Sequence, residues 1–230
     1  MFILLKWQYL GRINNFLLMP FLYYYISYIT PAFIVIPVII GILKYGQFTA
    51  PFKVLFWFVV FSAVANAANI ILIQCHFQTP IMFHLYTPVE FACMSLFYNY
   101  LFNKRWQKIL IALILVFVLF CVVDILYVQN STQIDTYPGT VEAIIIIGYS
   151  VLYLNQQSNI EHESSWESSG LNWANIAILI YYGCGLFMFI ATNYLMKASL
   201  NVNLIVWSVF DTILVVEYLL FAIGFYKCKT

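Results

Sequence analysis

Residues 79–102 read TPIMFHLYTPVEFACMSLFYNYLF, and the reading of this stretch decides the fold. It is continuous and mostly apolar. It is also long enough to cross a hydrocarbon core as a helix, which takes about 20 residues. Within it stand a histidine, His84, and a carboxylate, Glu90. Glu90 falls near the middle, where a bare acid costs roughly 2.5–3.5 kcal/mol on insertion scales. Side chains from neighbouring helices, or a proton, must satisfy it.

The rest of the chain supports a lipid solvent. Of 230 residues, 64% are hydrophobic, 20% aromatic and only 8% charged. A soluble domain carries about a quarter charged residues, and so few charges cannot cover a water-facing surface. The length suits one compact helical bundle with no second folded domain. Ten Lys and Arg against nine Asp and Glu leave a formal charge of +1, which gives no nucleic-acid surface. Five scattered cysteines (Cys75, Cys93, Cys121, Cys184 and Cys228) contain no C-x-x-C and read as buried free thiols. A Cys75–Cys121 bridge near one membrane face is the alternative.

Residues 1–21 lack a clean signal peptide, because Lys6 and Arg12 interrupt the apolar run and no small-residue cleavage site follows. They read as an interfacial amphipathic segment, with Met19 a second candidate start. Seven apolar segments follow in a single membrane domain over 22–230. They lie at about 22–44, 53–74, 79–102, 106–128, 138–157, 172–196 and 203–226. The runs are continuous rather than alternating, which excludes a barrel. Short polar linkers join antiparallel neighbours. The expected fold is therefore an all-α integral membrane protein, with seven transmembrane helices in an up–down bundle.

Orientation comes from the basic residues. One side carries Lys44, Lys53, Lys104, Arg105, Lys108, Lys227 and Lys229, and the other carries Lys6, Arg12 and Lys197. Placing the richer side in the cytoplasm puts the N-terminus outside and the C-terminus inside. Trp57, Trp106 and Trp173 then sit near cytoplasmic helix ends, as interface anchors do. The acidic loop with Glu161, His162, Glu163 and Glu167 lies inside. Asn130-Ser131-Thr132 forms a three-residue glycosylation sequon on the outer face.

With this topology most intramembrane polar groups gather in the outer half and centre. At 100° per residue Ser62, Asn66 and Asn69 share a stripe, beside Ala63, Ala65 and Ala67, which points first to close helix packing. Tyr86 and Glu90 share a face, whereas His84 and Glu90, six apart, diverge, as do Asp211 and Glu217. Glu90 and Asp211 read either as hydrogen-bonded acids that lock helices together or as a ligand, cation or proton site. Asp124 and Glu142, near the outer interface, read as solvated, and Thr192 and Asn193 lie near the outer end of the sixth segment.

Several chemistries are excluded. A retinal-type receptor needs a lysine in the last helix, but Val215 stands one turn after Asp211 and no lysine lies inside a span away from its ends. A metal hydrolase needs several ligands, and only His84 lies within the membrane, with no H-x-x-x-H or H-E-x-x-H. No G-x-S-x-G or phosphate-cradling glycine loop occurs. The chain reads as a non-enzyme with no metal and no cofactor. Transport stays open: Pro31, Pro37, Pro88, Gly183 and Gly185 are candidate helix breaks of the kind that mark transporter sites.

The run 173–194, WANIAILIYYGCGLFMFIATNY, with Ile205-Val206-Trp207, Phe221 to Lys227, and Tyr86-Thr87-Pro88-Val89-Glu90-Phe91, resembles a group of bacterial seven-helix membrane proteins. Similar regions occur alone or ahead of sensor histidine kinases, so the resemblance implies a sensory or signalling role in a bacterial inner membrane. At Asp211 that group would be expected to carry an asparagine. The expected site is an outer-half cavity between the second, third and seventh helices. It would bind a small ligand or proton through Glu90, with His84, Tyr86, Asn66, Asn69 and Asp211 around it. The expected partners are the lipid bilayer and a cytoplasmic signalling protein or a second copy of the chain, reached through the loops at 103–108 and 156–171. A small transporter or proton-coupled permease using the same acids is the alternative, and a structural membrane subunit the third.

Overall fold

A computed structural model describes residues 18–75, 80–129, 135–158, 166–195 and 197–228. The expectations for Lys6, Arg12, the sequon, Glu161 to Glu163 and Lys229 lie outside these residues, and so does that for the Asn193 side chain. The described chain is helical outside its linkers, and no strand occurs among the described residues. The helices are α1 (Phe21–Gln47), α2 (Ala50–Gln74), α3 (Pro80–Leu101), α4 (Lys104–Val128), α5 (Thr136–Ser158), α6 (Gly170–Leu195) and α7 (Leu200–Tyr226). All but α3 contain a stretch long and apolar enough to cross a membrane. The chain is a multi-pass membrane protein.

The seventh expected span, α3, departs from the other six. It has 22 residues, enough to cross, but His84, Glu90, Asn99 and its prolines dilute its apolar character. Packing explains how it tolerates them. It is enclosed by α2, α4 and α5 and leaves out one stripe, Ile81, Leu85, Val89, Leu96 and Tyr100. That stripe recurs at intervals of four, four, seven and four, one face of a helix. A helix covered on its other faces needs apolar side chains only where it meets lipid.

Neighbour contacts close a ring in the order α1, α2, α3, α5, α6, α7 and back to α1. Helix α4 stands outside this ring against α3, held by the Phe91–Phe117 stack with centroids 4.0 Å apart. It is the most apolar and least enclosed of the six spans. Ile109, Leu115, Val116 and Leu119 are all more than half exposed, as a helix bathed in lipid on most sides requires.

Of the expected helix breaks only the one in α1 occurs. The turn Tyr25–Ile29 widens to a π-helix, with the Thr30 amide donating to the Tyr25 carbonyl, because the Pro31 ring crowds the carbonyl four residues back. Between Pro31 and Pro37 the backbone tightens to i→i+3 bonds (Phe33 to Thr30, Ile36 to Phe33). By contrast α3 runs unbroken through Pro88, and α6 through Gly183 and Gly185. The cysteines are free thiols, including exposed Cys75 and buried Cys121.

The face carrying the α3–α4 and α5–α6 linkers is closed by aromatic rings and by a near contact of backbones. Phe48, Phe52 and Phe56 surround Phe225 at centroid distances of 5.1 to 6.2 Å. A methyl group on Gly170 would stand 2.4 Å from the Gly224 carbonyl oxygen and 2.8 Å from that of Lys227, so α6 and α7 meet backbone to backbone there. Gly183 has open space around it. Gly170→Ala should therefore cost about 1–3 kcal/mol by forcing the two helices apart, whereas Gly183→Ala should be neutral or slightly stabilising. Thermal unfolding of the two variants in the same detergent checks this.

Candidate functional site

Glu90 comes from the middle of α3 and Glu217 from α7, and both face one small enclosed cavity in the ring. Phe58, Val59, Ser62, Tyr86, Tyr181, Leu214, Tyr218 and Phe221 complete its wall. Its volume is about 10 Å³, room for about one water molecule. Organic ligands occupy pockets of roughly 300–1,000 Å³. The cavity is therefore of a size for water or a proton.

The hydroxyls around it have defined directions. Ser62 donates to the Phe58 carbonyl at 2.9 Å, which uses its only proton. Tyr86, 2.6 Å from the Ser62 oxygen, must therefore be the donor in that pair. So Tyr86 shares the face of Glu90, as helical spacing indicates, but gives its proton to α2. Tyr182 brings its hydroxyl to the Glu90 carboxyl without reaching hydrogen-bond geometry. Tyr218 lies close to the Asn66 side chain, and Glu90 and Glu217 lie within electrostatic reach of each other.

The remaining expected residues separate. Asn66 reaches the cavity only through Tyr218. Asn69 is buried with its side-chain carbonyl oxygen unpaired, outside the cavity wall. Asp211 is buried and within electrostatic reach of Tyr218, but Glu217 takes its place on the wall. His84 is buried on another side of α3, near Asp124 and Asp135. The stripe Ser62, Asn66 and Asn69 faces inward, whereas Ala67 on α2 is exposed.

Asp124 and Glu142 correct the sequence reading. They are 1% and 3% exposed, not solvated. Depth near a helix end does not expose a side chain when its azimuth points at a neighbouring helix. Glu142 lies within reach of both Glu90 and Asp135, so a string of acids runs from Asp135, just ahead of α5, through Glu142 to Glu90 and Glu217. Glu217 had a readable signal. Phe210, Leu214, Glu217 and Phe221 recur at four, three and four, and the three apolar members mark an inward face.

Toward the other end of the bundle the buried polar groups are neutral; some are paired, whereas Ser95 Oγ, Asn99 Oδ1 and the Tyr149 hydroxyl have no hydrogen-bond partner. The Tyr98 hydroxyl donates to Asn175 Oδ1 at 2.7 Å and lies 2.7 Å from Ser150 Oγ. Ser150 Oγ stands 3.0 Å from the same Asn175 oxygen, so α3, α5 and α6 meet on one amide. A turn further along, Tyr153 donates to Asn172, whose amide donates to the Trp166 carbonyl. Lysines line this rim: Lys227 Nζ donates to the Glu167 carbonyl at 2.8 Å and covers the Trp173 ring, and Lys44 covers Tyr226. Among the described residues no group of three or more His, Cys, Asp or Glu could hold a metal ion. No protein-family model, no curated protein and no solved structure matches the chain.

Two outcomes follow from this geometry. Tyr98→Phe removes the hydroxyl shared by three helices and should lower stability by about 1–2 kcal/mol. Tyr100→Phe, on the exposed face of α3, should change nothing measurable, and unfolding in a common detergent compares them. Asp135 is buried, and burial pushes its carboxyl from an ordinary 3.8 up to about 6, while the Thr87 hydroxyl and His84 act the other way and Asp124 adds to the rise. The folded chain thus holds that proton more tightly than the unfolded chain, and stability falls as pH rises from about 4 to about 6. Asp135→Asn should flatten this slope and gain up to about 3 kcal/mol at pH 7, read from unfolding midpoints across that range.

Proposed function

We propose that this chain is a proton-responsive membrane protein of sensor type, with α3 as a seventh span. Its N-terminus lies outside and its C-terminus in the cytoplasm, as the basic residues require. The exposure of Lys104, Arg105 and Lys108 on the lysine-lined rim fits that orientation. The resemblance of its third, sixth and seventh helices to bacterial sensor-type proteins agrees with a place in a bacterial inner membrane. The observation that carries the reading is the pair Glu90 and Glu217, on different helices, sharing a water-sized cavity with three tyrosines, Tyr86, Tyr181 and Tyr218, in its wall.

Two carboxyls facing one such cavity can hold a proton between them, and Glu142 and Asp135 continue the acids toward the outer end. Toward the cytoplasm the buried polar groups around Tyr98 and Asn175 are neutral, and the aromatic rings around Phe225 follow. A proton therefore has an acidic route in from one face and none of the same kind out through the other. That asymmetry favours a sensor over a permease. Protonation would alter how α7 and α3 pack at the cavity, and the change would pass to a cytoplasmic partner through the end of α7 or the 103–108 loop.

In reconstituted protein, infrared difference spectra across a pH step should show a protonated-carboxyl C=O band that titrates. The band should shrink in both Glu90→Gln and Glu217→Gln, while both variants remain folded. Vesicles with a trapped pH dye should show no proton flux above protein-free controls. Loss of the band in neither variant removes the proton site, and a flux abolished by Glu90→Gln would establish the permease reading instead.

A further inference from the structure

A second site lies on the outer wall of the bundle, apart from the Glu90 cavity. Helices α4 and α5 are tied at their ends by Gln129, whose side-chain amide donates to the Thr136 hydroxyl at 2.7 Å. Away from that tie α4 leans on α3 and touches α5 little. The resulting cleft, about 490 Å³, lies between α4, α5 and Ile190 of α6. Its walls are Phe120, Val128, Tyr137, Val141 and Ile190, with Thr140 beside them. Val128, Tyr137 and Ile190 are each more than half exposed, so the cleft opens sideways, where lipid would stand.

Asp124 lines this cleft. It is 1% exposed, and neither carboxyl oxygen has a hydrogen-bond partner. His84 and Asp135 lie within electrostatic reach, but neither bonds it. Thr140 cannot supply a proton, because its hydroxyl already donates to the Thr136 carbonyl at 2.7 Å. A buried charged acid with both oxygens unpaired costs several kcal/mol unless it takes up a proton or a donor arrives from outside the chain, and only the second pairs its oxygens.

We propose that the cleft binds an apolar amine from the lipid phase, its ammonium group on Asp124 and its hydrocarbon body along Phe120, Val141 and Ile190. The acid calls for a cationic donor, the exposed apolar walls select a molecule dissolved in lipid, and the volume suits a body of ordinary ligand size. No Lys or Arg lines the cleft, so nothing there would receive a phosphate. An amine without a phosphate fits, and a phosphatidylethanolamine headgroup does not. This site stands independently of the proton reading at Glu90.

The test uses the full chain in phosphatidylcholine nanodiscs and a diazirine-bearing long-chain alkylamine, with labelled residues mapped by mass spectrometry. Labelling should fall on α4, α5 and Ile190 around Asp124, and dodecylamine should displace it at least tenfold better than dodecanol. Asp124→Asn should cut labelling about tenfold, and Asp124→Glu should keep most of it. Val141→Trp places an indole on the exposed wall, leaves Asp124 intact and should also block labelling, which covers the case in which Asp124→Asn fails to fold. Equal displacement by alcohol and amine, or undiminished labelling in folded Asp124→Asn or Val141→Trp, would overturn the site. Displacement by phosphatidylethanolamine as effective as by dodecylamine would overturn the phosphate-free assignment.

Discussion

With lipid around it, a polar side chain in this bundle is stable only where another helix covers it. The arrangement depends on that constraint. Helix α3 carries the most compromising set of side chains, and it is packed between α2, α4 and α5 with one apolar stripe left outside. Helix α4 has few polar groups to hide and stands at the edge of the bundle. Position in the ring thus follows polar content, and the enclosed helix is the one that supplies Glu90.

The interior is divided along its depth. One half gathers Asp135, Glu142, Glu90 and Glu217, whose acids reach one another electrostatically. The other half holds Tyr98, Ser150, Asn175, Tyr153 and Asn172, each satisfied by a neighbour. Neutral hydrogen bonds of this kind hold helices together in a low dielectric without inviting ions. That end is reinforced where α6 and α7 meet at Gly170 and Gly224, and the carboxyls of the other end, Glu90 and Glu217, face a water-sized space.

Much of this was legible beforehand. Helix limits came within a few residues of those read from apolar runs, because lipid demands about 20 apolar residues whatever the neighbours are. The shared face of Tyr86 and Glu90 and the divergence of His84 followed from 100° per residue alone. Asp124 and Glu142 misled because depth along a helix can be read from position, whereas cover by another helix cannot. The expected site includes Asp211 and not Glu217, although the stripe Phe210, Leu214 and Phe221 marks the face on which Glu217 stands. Pro88, Gly183 and Gly185 suggested breaks that a covered helix does not need.

The sequence by itself determined the solvent, the helices and the inward faces of α2 and α3, since these depend on local composition and helical periodicity. Only the tertiary structure decided which acid joins Glu90, that the shared cavity is water-sized, and that α4 leaves a cleft beside Asp124. Those features arise where side chains from helices far apart in the chain meet, and no spacing within one helix encodes the distance to another. Glu90, conspicuous as a lone acid in an apolar run, acquires a partner only when α7 closes the ring.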